Sequence, residues 1–144
     1  MKANIKAHHI RHVLHIRDTQ YFSRTIKEPL TMSINAIGRR LESIQEKGAM
    51  HSADVANILN VRPETVSRWN NGKALPHAST ERQLLELEFI VDKLADIYEP
   101  HDARLWLFSR QRLLGDQKPA DLIQSGHVDE VLAAVNQLLD GVHL

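Results

Sequence analysis

Residues 52 to 76 read S-A-D-V-A-N-I-L-N-V-R-P-E-T-V-S-R-W-N-N-G-K-A-L-P, and no other stretch constrains the chain as much. Two short helical patterns meet here at a turn too tight for anything but a helix-turn-helix. The first is carried by Val55, Ala56 and Leu59, the second by Val66 and Trp69. Val61 lies between them, where an apolar side chain can fill the corner. Pro63 suits the first position of the second helix, because its missing N–H would have had no intrahelical partner there. Gly72 suits the left-handed residue just past that helix's end.

With Val66 and Trp69 turned inward, the outward positions are Glu64, Thr65, Ser67 and Arg68. Arg62 stands at the entrance, and Asn70, Asn71 and Lys73 at the exit. This is a short polar face able to meet base edges, flanked by groups able to meet phosphates. An ordinary helical hairpin with a solvated face would carry the same pattern. The ending Trp69, Asn70, Asn71, Gly72, Lys73 and Pro76 resembles the close of the recognition helix in the lambda-repressor, or Xre, type of DNA-binding fold, although that family more often has an acid where Asn70 stands. The candidate DNA-binding residues are Arg62, Glu64, Thr65, Ser67, Arg68, Asn71 and Lys73.

The remaining composition bounds the answer. A chain of 144 residues buries about two-thirds of its unfolded surface, enough for one full core or two small ones sharing helices. Cysteine is absent, which rules out disulfides, a cysteine nucleophile and thiolate metal sites. No apolar run approaches the ~20 residues that span a membrane, and the N-terminus lacks a signal peptide's apolar centre. A cytoplasmic protein without membrane contact is expected. The zero formal net charge hides an asymmetry: twelve Lys and Arg against six Asp and Glu through residue 76, six against twelve beyond it. A basic half carrying the DNA-reading pattern and an acidic half beyond it suggest one polyanionic partner and one of another kind, unless the charges merely scatter.

Residues 1 to 31 read as a basic N-terminal extension. Ile10, Val13 and Leu14 leave only a narrow apolar stripe among charges and histidines. His8, His12 and His15 would share one helix face, a spacing that can hold a transition metal. No carboxylate or second cluster completes a site, so a solvated arm is the simpler reading and no metal or cofactor is expected. Glu28 and Pro29 should break any helix. From Ser33 to Lys47, Ile34, Ile37, Leu41 and Ile44 repeat at helical spacing with Gly48 placed to end the helix, and Arg39 and Arg40 lie off the stripe, where they could touch phosphate. Residues 32 to 79 therefore form the expected helix-turn-helix bundle.

Residues 80 to 144 should hold a connecting helix and a second helical domain. Thr80 and Gln83 read as a capping box. Leu84, Leu87, Val91, Leu94 and Tyr98 then repeat in steps of three and four, with Leu85, Ile90 and Ala95 widening the stripe. This predicts a spine over residues 81 to 98, ended by Glu99 and Pro100, that contributes to self-association. Three shorter helical pieces follow, around Ala103 to Phe108, Pro119 to Gln124 and Val128 to Leu139, punctuated by Gly115, Gly126 and Gly141. Nothing alternates like a strand, so the whole chain should be α-helical.

A Trp and Phe on one short helix, then R-L-L-G, then K-P-A-D-L-I, then a Gly before an amphipathic helix that stops at Gly near the terminus, resembles the toxin-binding domain of the Xre/MbcA/ParS antitoxins. The resemblance covers residues 81 to 144, with the helix-turn-helix in the right place before it. It implies an antitoxin whose partner is a RES-domain enzyme that destroys NAD. The C-terminal domain would cover that toxin's active-site cleft, the final residues would reach into it, and the N-terminal domain would repress the shared operon by binding operator DNA. A homodimer within a larger toxin–antitoxin complex is the expected assembly. The implied toxin-binding residues are Trp106, Phe108, Arg110, Leu113, Lys118, Gly141, Val142, His143 and Leu144.

These residues make physical sense in that role. Trp106, Phe108, Leu113 and Leu114 are more apolar surface than two short helices easily bury, and such side chains anchor interfaces. A core position is the plainer reading for Trp106 and Leu114. Gly141 to Leu144 would form a short apolar tail, released by a glycine and ending in a carboxylate, able to enter a pocket built for an anionic cofactor. A frayed terminus is the plainer reading for an isolated domain. An enzyme using histidine chemistry is the competing class, since the chain has nine histidines. No nucleophile motif, H-E-x-x-H or phosphate-cradling loop accompanies them, so no enzymatic activity is expected. A solitary repressor without a toxin is the alternative within the binding class.

Overall fold

The structure is a computed structural model that describes residues 29–142, with side-chain surroundings from Ala36 onward. Its helices are α1 (Pro29–Gly48), α2 (Ser52–Leu59), α3 (Pro63–Asn70), α4 (Ala78–Leu94), α5 (Pro100–Phe108), α6 (Pro119–Gln124) and α7 (Val128–Val142), with a 3-10 turn at Arg112–Leu114. Among the described residues no strand forms, and an isolated antiparallel bridge joins Gln111 to Gln117. The all-α class read from the sequence is the one observed.

From Ile34 onward the described residues make one compact unit, whose apolar core draws on every helix of it. Ile37, Leu41 and Ile44 of α1 meet Val55, Ile58 and Leu59 of α2, Val66 and Trp69 of α3, and Leu84, Leu87, Ile90, Val91 and Leu94 of α4. The same cluster continues into Ala103, Trp106 and Leu107 of α5, Leu122 and Ile123 of α6, and Val131 and Val135 of α7. α2 packs on α3 and α6, and α7 packs on α4 and α6.

Several helix limits differ from those read off the sequence. α1 runs from Pro29, and proline is tolerated in a first helical turn, where N–H groups have no partner; whether Glu28 and Pro29 end a preceding helix lies outside the described residues. Gly48 is the last residue of α1, and the left-handed residue that follows is Ala49, at φ 50°. Gly48 is closely packed: an added Cβ would lie 3.2 Å from Cγ1 of Val91. Arg40 is not free for phosphate, because its guanidinium pairs with Glu88 of α4 at 2.8 Å. Lys47 makes a second such link to Asp92 at 2.7 Å, so two ion pairs tie α1 to α4.

α4 starts three residues earlier and ends four residues sooner than the expected spine. His77 precedes it with extended backbone, and no side-chain cap forms, so Thr80 is already inside the helix and the Thr80–Gln83 capping box does not exist. Leu84, Leu87, Ile90, Val91 and Leu94 are buried as expected, but Leu85 and Ala95 are exposed. Leu85 lies one residue beyond Leu84, about 100° around the helix, which carries it off the buried face. Pro100 opens α5 rather than closing the spine.

Candidate DNA-facing and partner-facing surfaces

The helix-turn-helix is built by two backbone devices. At the end of α2, Asn60 adopts the left-handed conformation at φ 56°, its N–H bonds the carbonyl of Asn57 at 3.3 Å, and the N–H of Val61 bonds that of Ala56 at 2.9 Å. These paired bonds stop a helix in one residue, and asparagine tolerates the positive φ they need. The chain therefore turns within Asn60, Val61 and Arg62, and Val61, half-buried, packs against the core. At the end of α3, Gly72 takes the same role at φ 71°, with its N–H to Trp69 at 3.2 Å and the N–H of Lys73 to Arg68 at 2.8 Å. Val66 and Trp69 are 2% and 3% exposed, so α3 is held by its inner face alone.

Its other face is open. Arg62, Glu64, Ser67, Arg68, Asn71 and Lys73 are exposed and Thr65 is half-buried. Gly38 of α1 lies behind that helix, its Cβ position 3.8 Å from the carbonyl oxygen of Asn70.

The second surface lies on α5, the 3-10 turn and the loop to α6. Of its candidate residues, Trp106 is core: only 7% is exposed, and its carbonyl accepts a 3.0 Å hydrogen bond from Nε2 of Gln111. Its indole is therefore not available as a partner anchor, as its plainer reading had it. Phe108 is half-buried, with the guanidinium of Arg104 over its ring, 5.1 Å from the centroid. Arg110, Leu113 and Lys118 are exposed. Leu114 turns inward at 8% exposure while its neighbour Leu113 is 49% exposed, so the 3-10 turn splits two adjacent leucines between core and solvent.

Gly141 does not end the helix: α7 runs through it to Val142. Val142 is 63% exposed; His143 and Leu144 lie outside the described residues, as do the basic extension and its three histidines. Sequence reasoning missed Leu105, Phe89 and Leu85, apolar side chains that face solvent. Leu105 could have been found: on α5 it points away from the side shared by Ala103, Trp106 and Leu107. Among the described residues no cluster of three or more His, Asp or Glu is placed to hold a metal, and no helix is long and apolar enough to cross a membrane.

Among the described residues these features define an all-helical protein: a helix-turn-helix that shares its core with a second helical module. Residues 93–142 match the family described as antitoxin Xre/MbcA/ParS C-terminal toxin-binding domain. The mycobacterial cidal antitoxin MbcA of Mycobacterium tuberculosis is 32% identical over 111 residues, which make up 77% of this chain and 98% of that protein. A probable mycobacterial cidal antitoxin of the same organism is 30% identical over 63% of this chain and 77% of its own length. The fold is also that of a chain in the crystal structure of the M. tuberculosis MbcT–MbcA toxin–antitoxin complex, with a TM-score of 0.66, 32% identity, and coverage of 74% of this chain and 96% of that one. This chain belongs to the Xre/MbcA/ParS antitoxins and is MbcA-like.

Proposed function

We propose that this antitoxin binds and inhibits a RES-domain toxin that degrades NAD, and represses its own operon through the helix-turn-helix. The observation that carries the reading is that the chain matches almost the full length of an MbcA antitoxin, in one core with a helix whose outward residues are mostly polar and exposed. α3 would lie in the major groove with Arg68 and Ser67 toward base edges and Arg62 and Lys73 toward phosphates. Phe108, Arg110, Leu113 and Lys118 would meet the toxin, and the last turn of α7 from Gly141, with His143 and Leu144 beyond it, would enter the NAD cleft. Two copies within the toxin complex would present paired recognition helices, and the assembly would act in the cytoplasm.

Co-expression with the product of the neighbouring gene tests this. Support consists of a stable complex, loss of cellular NAD when the neighbour is expressed alone, and retention of the operon's promoter DNA by the antitoxin. Promoter binding without any neighbouring protein that co-purifies would make this a solitary repressor.

A further inference from the structure

The loop between α5 and α6 has a charge that the rest of its half does not. Residues 77 to 144 hold six basic and twelve acidic residues, yet Arg110, Arg112 and Lys118 fall within nine residues that contain a single acid, Asp116. All three cations are exposed, and none makes an ion pair or hydrogen bond through its side chain among the described residues. Arg110 and Lys118 flank the bridged pair Gln111 and Gln117, which sets two like charges side by side across a narrow hairpin. Such a pair is unfavourable in the isolated chain and is relieved by an anionic neighbour.

The hairpin is closed by several backbone hydrogen bonds. The N–H of Gln111 bonds the carbonyl of Gln117 at 3.1 Å, and the carbonyl of Gln111 accepts from Leu114 at 3.0 Å and Asp116 at 2.9 Å. Gly115 and Asp116 close the turn at φ 64° and 62°. Leu114 and Pro119 are buried and anchor both sides, and the Gln111 amide ties the base to Trp106. This frame exposes Leu113, on the same short segment as the three cations.

We infer that this hairpin is the electrostatic docking element for the toxin, and that the matching toxin surface is an acidic rim around an apolar pocket that receives Leu113. The inference rests on the toxin-binding reading above and adds Arg112 and the chemistry of the partner. DNA phosphate would satisfy the cations but offers nothing to bury a leucine against, whereas a protein surface satisfies both. A hairpin closed by its own hydrogen bonds also loses little conformational freedom on docking.

The test uses the full chain and the toxin encoded beside it, with association and dissociation followed separately. Arg112→Glu combined with Lys118→Glu should slow association at least tenfold at low salt, with the difference shrinking as salt rises. Leu113→Gln should leave association unchanged and speed dissociation about tenfold. Arg112→Gln with Lys118→Gln provides a milder pair should the reversal disturb folding, and should fall between wild type and reversal. Promoter DNA retention should be unchanged throughout. Unaltered toxin kinetics in all variants overturn the inference while leaving the antitoxin reading standing. Lost DNA binding with intact toxin binding overturns it in favour of a phosphate contact. Failure of the wild-type chain to bind the neighbouring protein overturns both.

Discussion

The guanidinium of Arg104 on α5 meets both carboxylate oxygens of Asp54 on α2, each at 3.2 Å. The same carboxylate accepts the N–H of His51 at 2.9 Å, so one charge both closes the start of α2 and docks a helix fifty residues further along the chain. On its other side Arg104 covers the Phe108 ring. Beside this pair, Nε2 of Gln124 on α6 donates to the carbonyl of Asn57 at 2.9 Å, and together these contacts fasten the helix-turn-helix to the C-terminal helices.

A double-mutant cycle measures that fastening. The side chains are 33% and 18% exposed, between the surface case and the buried one, so a coupling of about 1 kcal/mol is expected between Arg104→Ala and Asp54→Ala. Asp54→Ala should cost roughly 1 kcal/mol more than Arg104→Ala, because it also leaves the His51 N–H without its acceptor. Urea denaturation of the four proteins reads both quantities. Strict additivity would show that the pair is geometry without energy.

Trp69, 3% exposed, belongs to the apolar core. Trp69→Ala should cost about 3–5 kcal/mol through the cavity it leaves, a large share of a small protein's stability. Thermal unfolding followed by circular dichroism checks this, and a wild-type midpoint would contradict a core role.

The parts of this fold written in local sequence were legible: apolar spacing gave α2, α3, α6 and the inner face of α4, and Pro63 and Gly72 marked both limits of α3. The parts set by distant partners were not. Nothing near Arg40 announces Glu88, and nothing near Arg104 announces Asp54, since each partner is brought close only by the completed core. Gly141 misled for a related reason, because glycine permits a helix stop without requiring one. At the second surface, composition alone could not divide Trp106 and Leu114, which are core, from Leu113 and Leu105, which face solvent.

On α3, two substitutions test the proposed DNA contact by separating sequence reading from positioning. Arg68→Ala should relax sequence preference, whereas Lys73→Ala should weaken operator and non-operator DNA alike and lower the salt slope by about one unit. Both side chains are exposed, so neither change should alter folding. Binding measured over a salt series with both DNAs is decisive: if neither variant differs from wild type, α3 does not sit in the groove.

The end of α7 sets two mechanisms of neutralisation against each other. If the helical module inhibits by bulk, removing residues 141 to 144 changes nothing, because Gly141 and Val142 are exposed and the core residues Val131, Ala134 and Val135 lie more than one turn earlier. If the end of the helix occupies the NAD cleft, the same truncation leaves the docking surface around Phe108 and Leu113 intact, and with it most of the binding energy, since a minority of interface residues usually carries it. We expect the second result: a truncated antitoxin that unfolds at the wild-type temperature, co-purifies with its toxin and retains promoter DNA, yet leaves the enzyme active. The helical continuation through Val142 favours it, because a projecting turn that is already ordered loses less freedom on entering a cleft than a frayed end would. NAD turnover by the purified complex distinguishes the two, with full inhibition by the truncated protein showing that the module blocks access without its last turn.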